Sequence, residues 1–98
     1  MRHYTITTRI IYADNEAESV TEHRDTAHTA RLCAQYQHER ETRHGHEAAA
    51  RFGLGLSLVE TEVTTWRDGV RGRVIQRMTS GVGGRGCGQV VSGRLASR

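Results

Sequence analysis

LSLVETEVTTWRDGVRGRVIQRM, residues 56–78, decides the fold class of this chain. It holds two runs of alternating β-branched and polar residues around Asp68-Gly69. A two-residue type I′ turn needs positive φ at both central positions, and Asp-Gly is among its preferred fillings. That turn sets a register in which Arg67 faces Val70, Trp66 faces Arg71, Thr64 faces Arg73, Glu62 faces Ile75 and Glu60 faces Arg77. Val59, Val63, Val70, Val74 and Met78 then form one apolar face, suited to packing on a helix. The other face carries cross-strand pairs: Glu60 with Arg77, and Trp66 under the Arg71 guanidinium.

Upstream, Tyr4, Ile6, Ile10 and Tyr12 alternate with His3, Thr5, Thr7 and Arg9, a strand period. Asp14-Asn15-Glu16 reads as a turn, and residues 19–23 return as a second strand through a loop of two or four residues. Asp25 reads as the N-cap of a helix starting near Thr26. Ala27, Ala30, Leu32, Cys33, Ala34 and Tyr36 make its apolar face, and His28, Arg31, Gln35, His38 and Glu39 its polar one. The chain is then polar all round to Glu47, so the helix end is expected in solvent with Gly45 as its stop. A further helical piece runs over residues 46–52 and ends at Gly53. The expected fold is α+β: a small antiparallel ββαββ sheet with one main helix on one face.

Residues 1–80 are read as a single domain and residues 81–98 as a flexible Gly/Arg-rich tail. Glycine loses much entropy on ordering and brings no apolar area. Val90, Val91 and Leu95 are the residues through which that tail would dock. With 98 residues and 36% apolar content the core must be small, and edge pairing into a homodimer is a way to enlarge it.

All 14 cations are arginine, which excludes a Schiff-base lysine and a P-loop. Residues 10–30 carry five acids against Arg24 alone, whereas residues 69–98 carry six arginines and no acid. Such polarity points to a macromolecular partner. No apolar h-region follows residues 1–5 and no run reaches membrane-spanning length, so neither a leader nor a membrane partner is expected. Two cysteines do not make a disulfide framework, and a cytoplasmic location is expected.

The chemistry-bearing motifs are incomplete. Gly81, Gly83 and Gly86 match GxGxxG but lack the following helix and acidic residue. Residues 23–25 spell HRD without the metal-binding Asn that a kinase loop needs. Of His38, His44 and His46 near Cys33, only His44 and His46 form a close pair, short of the paired ligands that zinc sites show. No metal, cofactor or catalytic residue is assigned. The candidate binding residues are Trp66, Arg67, Arg71, Arg73, Arg77 and Arg85. Arg85 lies in GGRGCG, residues 83–88, which resembles the RGG-type segments of RNA-binding proteins over those six residues.

In size and composition the chain resembles small accessory proteins of actinobacteria and their phages. The reading ranked first is a non-catalytic accessory or inhibitor module with a protein partner. Second is a nucleic-acid-binding module using the basic C-terminal third. Third is a metal-independent ribonuclease-like toxin, a resemblance of size, charge and class, with His as acid and base and Arg on the phosphate.

Overall fold

A computed structural model describes residues 1–81 and 90–93 of the chain. The elements are β1 (Arg2–Tyr12), β2 (Ala17–Arg24), α1 (Ala27–Phe52), β3 (Leu56–Arg67), β4 (Val70–Gly81) and β5 (Val90–Gly93). They make an antiparallel sheet of order β2-β1-β3-β4-β5, with α1 on one face. The ββαββ arrangement is the expected one. β5 extends the sheet within the stretch read as tail; the rest of that reading, over 82–89 and 94–98, lies outside the described residues.

β1 buries Tyr4, Ile6, Thr8, Ile10 and Tyr12 on the helix side, as its alternation requires. The β1–β2 loop has four residues, 13–16, one of the two lengths expected. Tyr12 and Glu16 pair through the backbone, and Asn15 takes φ 74°, the left-handed position of such loops. Asp14 Oδ1 accepts the Glu16 N–H at 3.0 Å and shapes the turn.

The cap of α1 is Thr26 rather than Asp25: the Thr26 hydroxyl accepts the Thr29 N–H at 3.2 Å. Gly53 closes the helix in a left-handed conformation, with the Leu54 N–H on the Ala49 carbonyl at 2.7 Å, the Schellman arrangement. Gly45 is not a stop. It lies buried mid-helix, where a Cβ would meet Ile10 Cγ2 at 3.0 Å, so the missing side chain lets helix and sheet close together.

The buried face of α1 is Ala30, Ala34, Gln37, His38, Glu41, Gly45 and Ala49. Leu32 and Tyr36, expected in the core, are 54% and 67% exposed, and His38, expected in solvent, is 1% exposed. Tertiary packing put alanines, Gly45 and three polar or charged residues at the interface, where β1 and β3 supply the apolar bulk.

The core has two apolar clusters. One holds Tyr4, Ile6, Ala30, Ala34, Val63 and Met78; the other holds Ile10, Tyr12, Ala49, Leu56 and Val59. Thr8, Gln37, His38, Thr61 and Ser80, all buried, form a hydrogen-bonded polar group at the helix–sheet contact.

The Asp68-Gly69 turn has positive φ at both residues, 51° and 82°, and pairs Arg67 with Val70 and Trp66 with Arg71 as expected. Further on, irregularities between Val63 and Trp66 shift the register. Thr64 faces Val74, Glu62 faces Arg77 and Glu60 faces Thr79. The expected Glu62–Ile75 and Thr64–Arg73 pairings are therefore corrected; Glu60 and Arg77 are not directly opposed, yet their ion pair forms at 3.5 Å. Bulges insert unpaired residues on β4, so Ile75 joins the core while Val74 does not and Val70 is 68% exposed.

Candidate functional site

Beside the β3–β4 turn and the first turns of α1 lies an open hollow of about 720 Å³. Tyr4, Ala27, Ile75 and Val70 are its apolar lining; Arg2, Arg31, Arg67, Arg71 and Arg73 also line it. Four of these arginines come from local chemistry already described, and Arg31 comes from α1. The alternation of β1 puts Arg2 on the face of Tyr4, directly across from Arg67. The turn places Arg67 and Arg71 at the hairpin tip. The bulge brings in Arg73, whose N–H donates to Thr65 Oγ1 at 3.1 Å. Gly72 allows that bulge, since a Cβ there would overlap Thr65 Oγ1.

Among the described residues none of these five arginines has a carboxylate within 4.0 Å. The acid lining the hollow is Asp68, and its carboxylate takes the Met1 ammonium. Directly opposed like charges destabilise an antiparallel pair, so Arg2 facing Arg67 is a local rule broken.

Trp66 borders the hollow, and its Nε1 donates to Thr5 Oγ1 at 3.0 Å. The expected cation–π contact with Arg71 does not form. The indole is drawn toward β1, where His3 lies parallel to it with centroids 5.9 Å apart. Arg77, proposed with the others, is instead engaged on the uncovered face of the sheet by Glu62 and, at 3.5 Å, by Glu60. Arg85 lies outside the described residues. The structure thus groups Trp66, Arg67, Arg71 and Arg73, separates Arg77, and adds Arg2 and Arg31, which no sequence spacing linked to the hairpin.

The interior holds a second polar arrangement. His38 Nδ1 is 2.7 Å from Thr61 Oγ1, and its Nε2 is 2.8 Å from Ser80 Oγ. The spacing suits a nucleophile and a base, yet His38, Thr61 and Ser80 are sealed in the core and do not line the hollow. The group is part of the packed contact between α1 and the sheet. Burial lowers the His38 pKa, a shift that the Glu39 charge partly offsets. The Cys33 thiol is pushed up to about 11, first by burial and then by its hydrogen bond to Glu22, which leaves it protonated and unreactive near neutral pH. Among the described residues no three His, Cys, Asp or Glu side chains gather as metal ligands, and no helix is long and apolar enough to cross a membrane.

Comparison with protein-family models, curated proteins and solved structures finds no match. The functional reading therefore rests on the geometry of the hollow.

Proposed function

We propose that this chain is a non-catalytic binding module whose partner is nucleic acid, held through the arginine-lined hollow at the β3–β4 turn. The observation that carries this is the gathering of five arginines without a carboxylate partner among the described residues. Arginines that serve the fold are paired, as Arg77 is with Glu62 and Arg40 with Glu41. Planar guanidiniums left unpaired around an open hollow match phosphate oxygens in charge and in hydrogen-bond geometry. The exposed Leu32 and Tyr36, one turn apart on α1, favour a protein partner as the second reading, in which the chain acts as an accessory or inhibitor module.

Salt titration of oligonucleotide binding, read by fluorescence anisotropy, separates the two. For nucleic acid, log K falls linearly with log salt at about −0.7 to −0.9 per phosphate neutralised, and Arg73→Ala reduces that slope by about one. Failure to bind any oligonucleotide at low salt rejects the reading in favour of a protein ligand. Turnover of RNA abolished by a single His→Ala change rejects both.

A further inference from the structure

Three rings from three neighbouring strands lie in a row on the sheet face away from α1: His23 on β2, His3 on β1 and Trp66 on β3. The His23 and His3 centroids are 5.8 Å apart, those of His3 and Trp66 5.9 Å, and the planes of the latter pair differ by 9°. Antiparallel pairing puts all three on one face, since Thr5 faces His23 and His3 faces Trp66 while Tyr4, between them, points to the helix. The Trp66 Nε1 bond to Thr5 ties the indole to the next rung of β1, so the ring leans across the sheet. Arg71 is the cross-strand neighbour of Trp66 on β4.

An aromatic row of this kind stabilises a sheet by itself. Its surroundings point further. α1 covers the other face, the one on which Arg2 and Arg67 lie; Trp66 borders the hollow and has Arg71 as its cross-strand neighbour, so the unpaired arginines begin at the hairpin end of the aromatic row. π-faces beside unpaired guanidiniums are the two halves of a single-strand site: stacking for bases and charge for the backbone.

Resting on the nucleic-acid reading above, we infer that the preferred ligand is single-stranded, with unpaired bases stacked on Trp66 and His3 and the backbone passing Arg71 round the hairpin tip to Arg67 and Arg73 on the side of the hollow. Duplex bases are already stacked on one another at about 3.4 Å and offer no free faces. Rings 5.9 Å apart suit bases drawn apart from each other, which an unpaired strand permits.

The experiment compares a labelled 12-nucleotide homopyrimidine strand with a 12-base-pair duplex by anisotropy at fixed moderate salt, alongside the emission of Trp66, the chain's one tryptophan. The single strand is expected to bind at least tenfold tighter than the duplex and to quench the emission. Trp66→Leu should lose about tenfold or more for the single strand, a clearly larger loss than for the duplex. Trp66→Phe keeps a stacking ring and should recover most of the loss; circular dichroism checks that both variants fold. Duplex binding as tight as single-strand binding, without quenching, overturns the stacking inference and leaves the nucleic-acid reading intact. No binding of either form at low salt, with retention of a polyglutamate peptide, overturns both.

Discussion

Arg67 is an arginine that the fold alone would not choose. It faces Arg2 across β1 and β3, and neither has a carboxylate within 4.0 Å among the described residues. Directly opposed like charges cost a sheet about 0.2–1 kcal/mol, and threonine suits a strand better. Arg67→Thr should therefore raise the unfolding midpoint at low salt by a few degrees or less, while weakening oligonucleotide binding. A variant both less stable and equally avid would show that Arg67 serves the structure. Gly72 tests the bulge that delivers Arg73. A Cβ there would overlap Thr65 Oγ1 and lie 3.1 Å from the Thr65 carbonyl oxygen. Gly72→Ala should cost about 1–3 kcal/mol in urea unfolding. Adding Thr65→Ala, which removes the overlapping hydroxyl, should return part of that loss.

The helix carries the main correction to the sequence reading. A helical wheel drawn on hydrophobicity put Leu32 and Tyr36 inward and His38 outward. The buried positions 30, 34, 37, 38, 41, 45 and 49 keep helical spacing, but three of them are polar or charged. Gln37 and His38 are tolerated because partners exist across the interface, whereas Glu41 is held by Arg40 beside it on α1. Gln37 Nε2 reaches Thr8 Oγ1 at 2.9 Å and the Val20 carbonyl at 3.2 Å, and His38 bridges Thr61 and Ser80. The partners are remote in sequence, and so the pattern of α1 alone concealed them.

This helix also gives a pH prediction. Burial holds the folded His38 pKa below its ordinary value of 6.5, so the fold favours the neutral ring. The unfolded chain takes up the proton first as pH falls through about 6.5, and stability declines below that point until the folded ring also protonates. Chemical denaturation from pH 7.5 to 5 should show this decline, and His38→Gln, which keeps a donor and an acceptor, should flatten it. An unchanged slope in that variant would assign the acid sensitivity to other groups.

At the scale of the whole molecule, two of the acids, Asp14 and Glu16, lie far from the hollow. The β1–β2 turn with Asp14 and Glu16 lies at one end of β1, and the β3–β4 turn with the hollow at the other, beside Arg2. The 11 residues of β1 separate these ends by about 33 Å at about 3.3 Å per residue. That exceeds the screening length of about 8 Å at physiological salt several times over. Glu16→Gln should therefore leave oligonucleotide affinity at 0.15 M salt, roughly the physiological value, within about twofold. Arg73→Ala, inside the hollow, should weaken it clearly. An equal effect from both would mean that net charge, rather than the hollow, governs binding.

By itself the sequence determined what local chemistry can decide. Asp68-Gly69 specified its turn because few residues accept positive φ at both positions, and the alternation in β1 specified which of its residues face inward. Gly53 likewise ended α1 through backbone freedom alone. Only the tertiary structure decided the rest. The β4 bulges arise where two strands and a helix must pack together, and they set Arg77 opposite Glu62 while it still reaches Glu60, and turned Ile75 inward. The burial of Gln37 and His38 depends on hydroxyls of β1, β3 and β4. The site itself joins Arg2, Arg31 and Arg67 from three separate elements. Local patterns report each residue's preference for water or for a backbone conformation, whereas charges become a binding site through distance, and distance between remote residues exists only once the sheet has closed on the helix.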